Sequence, residues 1–161
     1  MIKVVFQFDN DIKPVDTEPA YRCIEAVNQR FKVNGTIGVR IAGEHTVQEL
    51  NRTHAGNNYA TDVLSFPYLD IEEGELYKTE DAEDIGELGD IIISREHVTK
   101  QAKQASTDEA TELALLTLHG ILHILGFNHD TAENRATMEN LQQNFMGKAS
   151  LTYRNFSWQD I

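Results

Sequence analysis

Three of the six histidines in this chain fall within eleven residues, in HGILHILGFNHD, residues 119 to 130. Along a helix, a residue four places on is turned by about 400°, one turn and some 40° more, so His119 and His123 leave one face on successive turns. That spacing makes a two-pronged metal clamp. Were the helix to continue, His129 would stand about 240° round from His123, on the wrong side. Gly126 resolves the difficulty, because glycine just past the last periodic residue is the usual left-handed cap that stops a helix and redirects the chain. Asn128 also tolerates the left-handed region, and the segment from Gly126 to Asn128 can fold back to present His129 to the open side of the clamp.

Three neutral imidazoles suit Zn²⁺ first and other borderline first-row metals second. A structural zinc site would take a fourth protein ligand, often cysteine, but the single cysteine, Cys23, is remote and sits in a different predicted helix. Three ligands with the fourth position left to water is the catalytic pattern, in which the metal lowers the pKa of that water and polarises an ester or phosphoryl oxygen. One such histidine alone would be read as a core or turn residue. Three at this spacing point to a metal, since desolvating two rings on an apolar helix is costly without a bonded partner. Asp130 reads as a polar turn residue or helix cap, or as an outer carboxylate orienting a ligand ring. The metalloprotease pattern HExxH places its general base directly after the first histidine, and here that position is Gly120, so peptide hydrolysis by that route lacks its base.

The elements that must hold this cluster follow from patterning. IKVVFQF (2–8) and GTIGVRIA (35–42) read as strands, separated by a helix through TEPAYRCIEAVNQRF with Thr17 as N-cap and Pro19 in its first turn. A shorter helix spans 44–54, Gly56 to Asn58 form a turn, and TDVLSFPY (61–68) is a third strand ended near Pro67. LGDIIISREHV is a fourth strand running into a helix capped by Ser94. Ser106 with Glu109 has capping-box spacing, and Thr107 is an alternative cap for the helix that carries His119 and His123. That helix is apolar nearly all round and belongs in the middle of the fold. A last helix starts near Thr131 and gives way to an irregular tail. The expectation is one domain over residues 1–161, α+β in class, with a small mixed sheet packed on a buried metal-binding helix.

With 40% hydrophobic and 25% charged residues in 161, the chain can bury a real core. A lone cysteine and an opening without a secretory pattern make the cytoplasm the expected compartment, and no apolar run reaches bilayer length. The formal charge of −12 argues against a nucleic-acid partner until its distribution is considered. Residues 68 to 87 hold nine acidic residues and one lysine, so a solvated acidic loop carries −8 and the remainder only −4.

HGILHILGFNHD, TDVLSFPY and GDIIIS (89–94) together resemble, in order and spacing, the YbeY family of bacterial metal-dependent endoribonucleases, whose histidine signature runs HGxLHLxGYDH. The resemblance extends from about Leu50 to Met146. It implies a zincin-like α+β fold, one zinc held by His119, His123 and His129, and cleavage of single-stranded RNA in ribosomal RNA maturation and ribosome quality control. Family members often carry an arginine six positions before the threonine of TDVLSF. Here that position is Ala55, which leaves Arg52 as the nearest candidate for a phosphate contact. Phe127 and Asn128 stand where tyrosine and aspartate are usual. Asp62 and Ser65 are candidate substrate contacts, on a strand whose edge could align an extended substrate. Two competing functions share these residues: a zinc metallopeptidase or amidase, and a non-catalytic ribosome-assembly module in which metal locks the fold and the acidic loop meets a basic ribosomal protein.

Overall fold

A computed structural model describes residues 1–59, 61–69 and 84–156. Most of the expected acidic loop, residues 70–83, and the last five residues lie outside them. The described elements run β1 (Ile2–Phe8), α1 (Glu18–Arg30), β2 (Gly35–Ala42), α2 (Glu44–Ala55), β3 (Val63–Pro67), β4 (Glu87–Ser94), α3 (Arg95–Gln104), α4 (Glu109–Ile124) and α5 (Ala132–Lys148). The class is α+β, as the patterning indicates.

The four strands form one mixed sheet in the order β1-β2-β4-β3. β1, β2 and β4 are parallel, and each parallel step is bridged by helix, α1 in the first and α2 with β3 in the second. β3 returns antiparallel along β4, pairing Val63 with Ile93 and Pro67 with Gly89, and so forms an edge of the sheet.

Period-2 alternation on the strands sends Ile2 and Val4, then Ile37, Val39 and Ile41, then Ile91 and Ile93, to one face. α1, α4 and α5 pack there, and Cys23 on α1 meets Met146 on α5 with the two sulfurs 3.6 Å apart. Among the described elements, α2 packs on the opposite face, where its Val47 joins Ala42 and Ile92 in a small second cluster.

α4 is the central helix. Leu113, Leu115, Leu116, Leu118, Ile121, Leu122 and Ile124 are all buried on it, and side chains of that size contribute on the order of 10–20 kcal/mol together. That margin holds two imidazoles in the same helix despite their desolvation. Its cap corrects the sequence reading. Asp108 is the N-cap, its carboxylate accepting from the Thr111 N–H at 2.7 Å. Ser106 instead takes a left-handed turn at φ 54°, and Glu109 is drawn into an ion pair with Arg95 and a 2.7 Å hydrogen bond from Thr99, so no capping box forms. Ser94 caps α3 as expected, and Thr131, where the last helix was expected to start, is the N-cap of α5.

Candidate metal centre

At the C-terminal end of α4 the chain turns through Gly126, at φ 99°, with Gly126 N–H donating to the His123 carbonyl and Phe127 N–H to that of Leu122. The returning loop is fastened by side chains. Asn128 Oδ1 accepts from the Asn134 amide at 2.7 Å, and Arg135 Nε donates to the His129 carbonyl at 3.0 Å. His129 thereby arrives opposite the clamp. One ligand atom from each of His119, His123 and His129 lies within 4.8 Å of the others. The ring of His123 stands nearly edge-on to both neighbours, at 82° to His119 and 81° to His129.

The electrostatics favour neutral rings. Burial drives His119 well below its ordinary value, with the like-charging ring of His123 adding to the effect. Burial, then His129, pushes His123 down to about 4. The Nε2 atoms of His119 and His123 face each other at 3.0 Å. Gln142 Oε1 sits 2.8 Å from His119 Nδ1; with Nδ1–H donating to that carbonyl, His119 Nε2 turns a lone pair into the space shared by the three rings. Converging neutral nitrogens with a lone pair aimed inward fit a borderline divalent metal.

Beside the rings is a recess of about 360 Å³ lined by Val63, Leu64, Ser65 and Pro67 of β3 and by His119, His123, Gly126, Phe127 and Asn128. The Ser94 N–H donates to the Asp62 carbonyl and the Tyr68 N–H to that of Leu88. By antiparallel alternation, Val63, Ser65 and Pro67 then turn their backbone groups away from β4, toward the outer edge of the sheet formed by the described strands. Pro67, which has no N–H, falls where β4 requires none.

Other sequence candidates are placed differently. Ser65 lines the recess, its hydroxyl 3.5 Å from the Gly120 carbonyl. Asp62 does not; it is buried, and burial pushes its carboxyl up against the opposing pull of a Gln101 hydrogen bond. Arg52 is exposed on α2, paired with Glu49, and is not among the residues lining the recess. Asp130 is exposed and caps nothing, since Thr131 is the N-cap of α5. A Cβ at Gly120 would meet Ile91 Cδ1 at 2.7 Å and its Cγ atoms at 2.9 Å, so the position after the first histidine faces the sheet and has no room for a glutamate.

Sequence reasoning missed four residues around His119. Gln142 is fully buried against it, and the tail brings Tyr153, Arg154 and Phe156 over α4. Phe156 stacks on the His119 ring at 4.3 Å and 15°. Arg154 forms two hydrogen bonds with the Glu112 carboxylate, at 2.7 and 2.6 Å, and lies 5.3 Å from the Phe156 ring centre. Gln142 had a signal: it interrupts the otherwise apolar stripe of Met138, Phe145 and Met146.

A mixed sheet backed by a central helix, with three histidines converging at that helix's end beside an open strand edge, defines a protein of the metal-site hydrolase class. Residues 7–150 match the family model described as Endoribonuclease YbeY, and the chain belongs to that family. It is 35% identical to the Endoribonuclease YbeY of Brevibacillus brevis over 88% of this chain and 94% of that relative. To that of Caldicellulosiruptor bescii it is 34% identical, over 94% of this chain and 99% of that one. The solution structure of TM1509 from Thermotoga maritima shares the fold, with a TM-score of 0.57 at 22% identity over 92% of this chain and 89% of that one.

Proposed function

We propose that this chain is a metal-dependent endoribonuclease that cuts single-stranded RNA in the maturation and quality control of ribosomal RNA, acting as one domain with one zinc held by His119, His123 and His129. The observation that carries the reading is the convergence of three imidazoles on one point beside a recess lined by a β3 edge strand, in a member of this family. The chemistry such a metal supplies is Lewis acidity toward a phosphoryl oxygen and the acidification of water.

The chain's own residues divide the remaining work. His119 and His123 offer uncharged nitrogens because burial disfavours their protonated forms. The outer edge of β3 offers the Ser65 N–H and carbonyl, with its hydroxyl, to a strand lying along the recess. Asn128 supplies the other neutral polar side chain at the rim. No carboxylate is among the described residues lining the recess, so a phosphodiester enters without meeting like charge there. Asp62 is proposed to brace β3 from behind, and Arg52 to act at a distance from the cut.

The test is metal content and cleavage of a single-stranded RNA by wild type beside His119→Ala and His123→Ala. About one zinc per chain and RNA cleavage, both lost in the variants, are expected. Cleavage that survives either substitution would overturn the mechanism. Hydrolysis of peptides without RNA cleavage would favour the peptidase reading, and ribosome-particle binding that persists in a folded histidine variant without any hydrolysis would favour the assembly module.

A further inference from the structure

His119 is useful to a metal only in the tautomer that carries its proton on Nδ1, and the ring itself has little preference between its two nitrogens. We propose that Tyr153 is a positioning residue which, through Gln142, fixes that tautomer; the inference rests on the metal-site reading above.

The argument runs along one line of hydrogen bonds, from Glu139 to Tyr153 to Gln142 to His119. An ionised carboxylate only accepts, so the Tyr153 hydroxyl donates to Glu139. Its proton is thereby committed, and its oxygen accepts from Gln142 Nε2 at 3.2 Å. The amide of Gln142 is then oriented: its NH₂ faces Tyr153 and its carbonyl faces His119 Nδ1 at 2.8 Å. A carbonyl only accepts, so Nδ1 carries the proton and Nε2 is bare.

Turning the amide round would set its NH₂ against Nδ1 and force the proton to Nε2. It would also oblige Tyr153 to donate to Gln142, leaving a hydroxyl lone pair against the Glu139 carboxylate. Gln142 is fully buried, out of reach of the bulk solvent that would otherwise relieve that mismatch. Burial and the hydrogen bond to Glu139 both push the Tyr153 phenol above its ordinary value, so it keeps the proton the relay needs. Phe156, stacked on the His119 ring, opposes rotation of the imidazole that would exchange its nitrogens.

Glutamate at position 142 would accept from Nδ1 whichever way it turned, so it needs no orienting partner. This gives a test that separates polarity from packing. Zinc affinity would be measured by chelator competition, and the ¹⁵N shifts of the His119 ring in metal-free protein, for wild type, Tyr153→Phe, and Tyr153→Phe with Gln142→Glu. Expected are a roughly tenfold loss of zinc affinity in Tyr153→Phe, a mixed tautomer in its imidazole spectrum, and recovery of both in the double variant. Unchanged affinity and tautomer in Tyr153→Phe, or no recovery with glutamate, would overturn the proposal. If wild type bound no zinc, the metal reading itself would fall, while the imidazole spectra would still decide whether Tyr153 sets the tautomer.

Discussion

His123 is half-buried, and its pKa is pushed down to about 4 from an ordinary 6.5. Between those two values the unfolded chain takes up a proton that the folded one refuses, so stability must fall as pH falls through that window. His119, shifted further in the same direction by deeper burial, adds to the slope. Denaturant unfolding of metal-free protein from about pH 7 to about pH 4.5 is expected to show a steady loss of midpoint. His123→Gln should flatten it, and an unflattened profile would mean that carboxylates elsewhere dominate. At this scale the histidines were legible in the sequence, because helical spacing and one glycine determine where three rings can point. Asp62 was not placed by its motif alone: a polar residue just ahead of a strand can face the recess or the interior, and it is the burial of its carboxyl against Gln101 of α3 that shows which.

Among the elements, α4 carries two of the three clustered histidines, and the tail holds α4. The connection runs through the Glu112–Arg154 ion pair, with the glutamate 1% and the arginine 19% exposed at the side chain. Gln101 also donates to Glu112, at 2.9 Å. Removing one member of a buried pair leaves the other charge stranded, which costs about 3 kcal/mol or more. Arg154→Met should therefore lower the melting temperature by roughly 6–12 °C in a chain of this size, with part of the loss restored by adding Glu112→Gln. A melting temperature unmoved by Arg154→Met would show that the tail is not fastened there. The strands and helices were legible because period 2 and period 3.6 are local properties, and even the edge position of β3 agrees with Pro67. The α4 cap was misread because Ser106 and Asp108 offer equally good local chemistry, and the pairing of Glu109 with Arg95 decides between them. The tail was not legible at all, since Tyr153, Arg154 and Phe156 acquire their roles from residues 11 to 42 positions away.

For the molecule as a whole, the charge of −12 has to coexist with an RNA substrate. With no lysine or arginine among the described residues lining the recess, few condensed counterions are released when a strand enters. Affinity for single-stranded RNA is thus expected to fall less than about tenfold between about 50 and about 200 mM salt, the behaviour of one or two phosphate contacts. A loss of a thousandfold, read by fluorescence anisotropy at several salt concentrations, would reveal a basic surface that these residues do not form. No helix among the described residues is long and apolar enough to cross a membrane.

Cys23 lies at the seam where α1 meets α5, 1% exposed, with its thiol pushed up to about 12 by burial. A thiol so placed is inert to alkylating reagents while the seam is closed. As the chain has a single cysteine, its rate of labelling is a clock for the opening of that seam. A one-site chemical assay can therefore time how often the helices that carry Gln142 and brace α4 come apart, with and without a bound metal, without engineering any probe into the molecule.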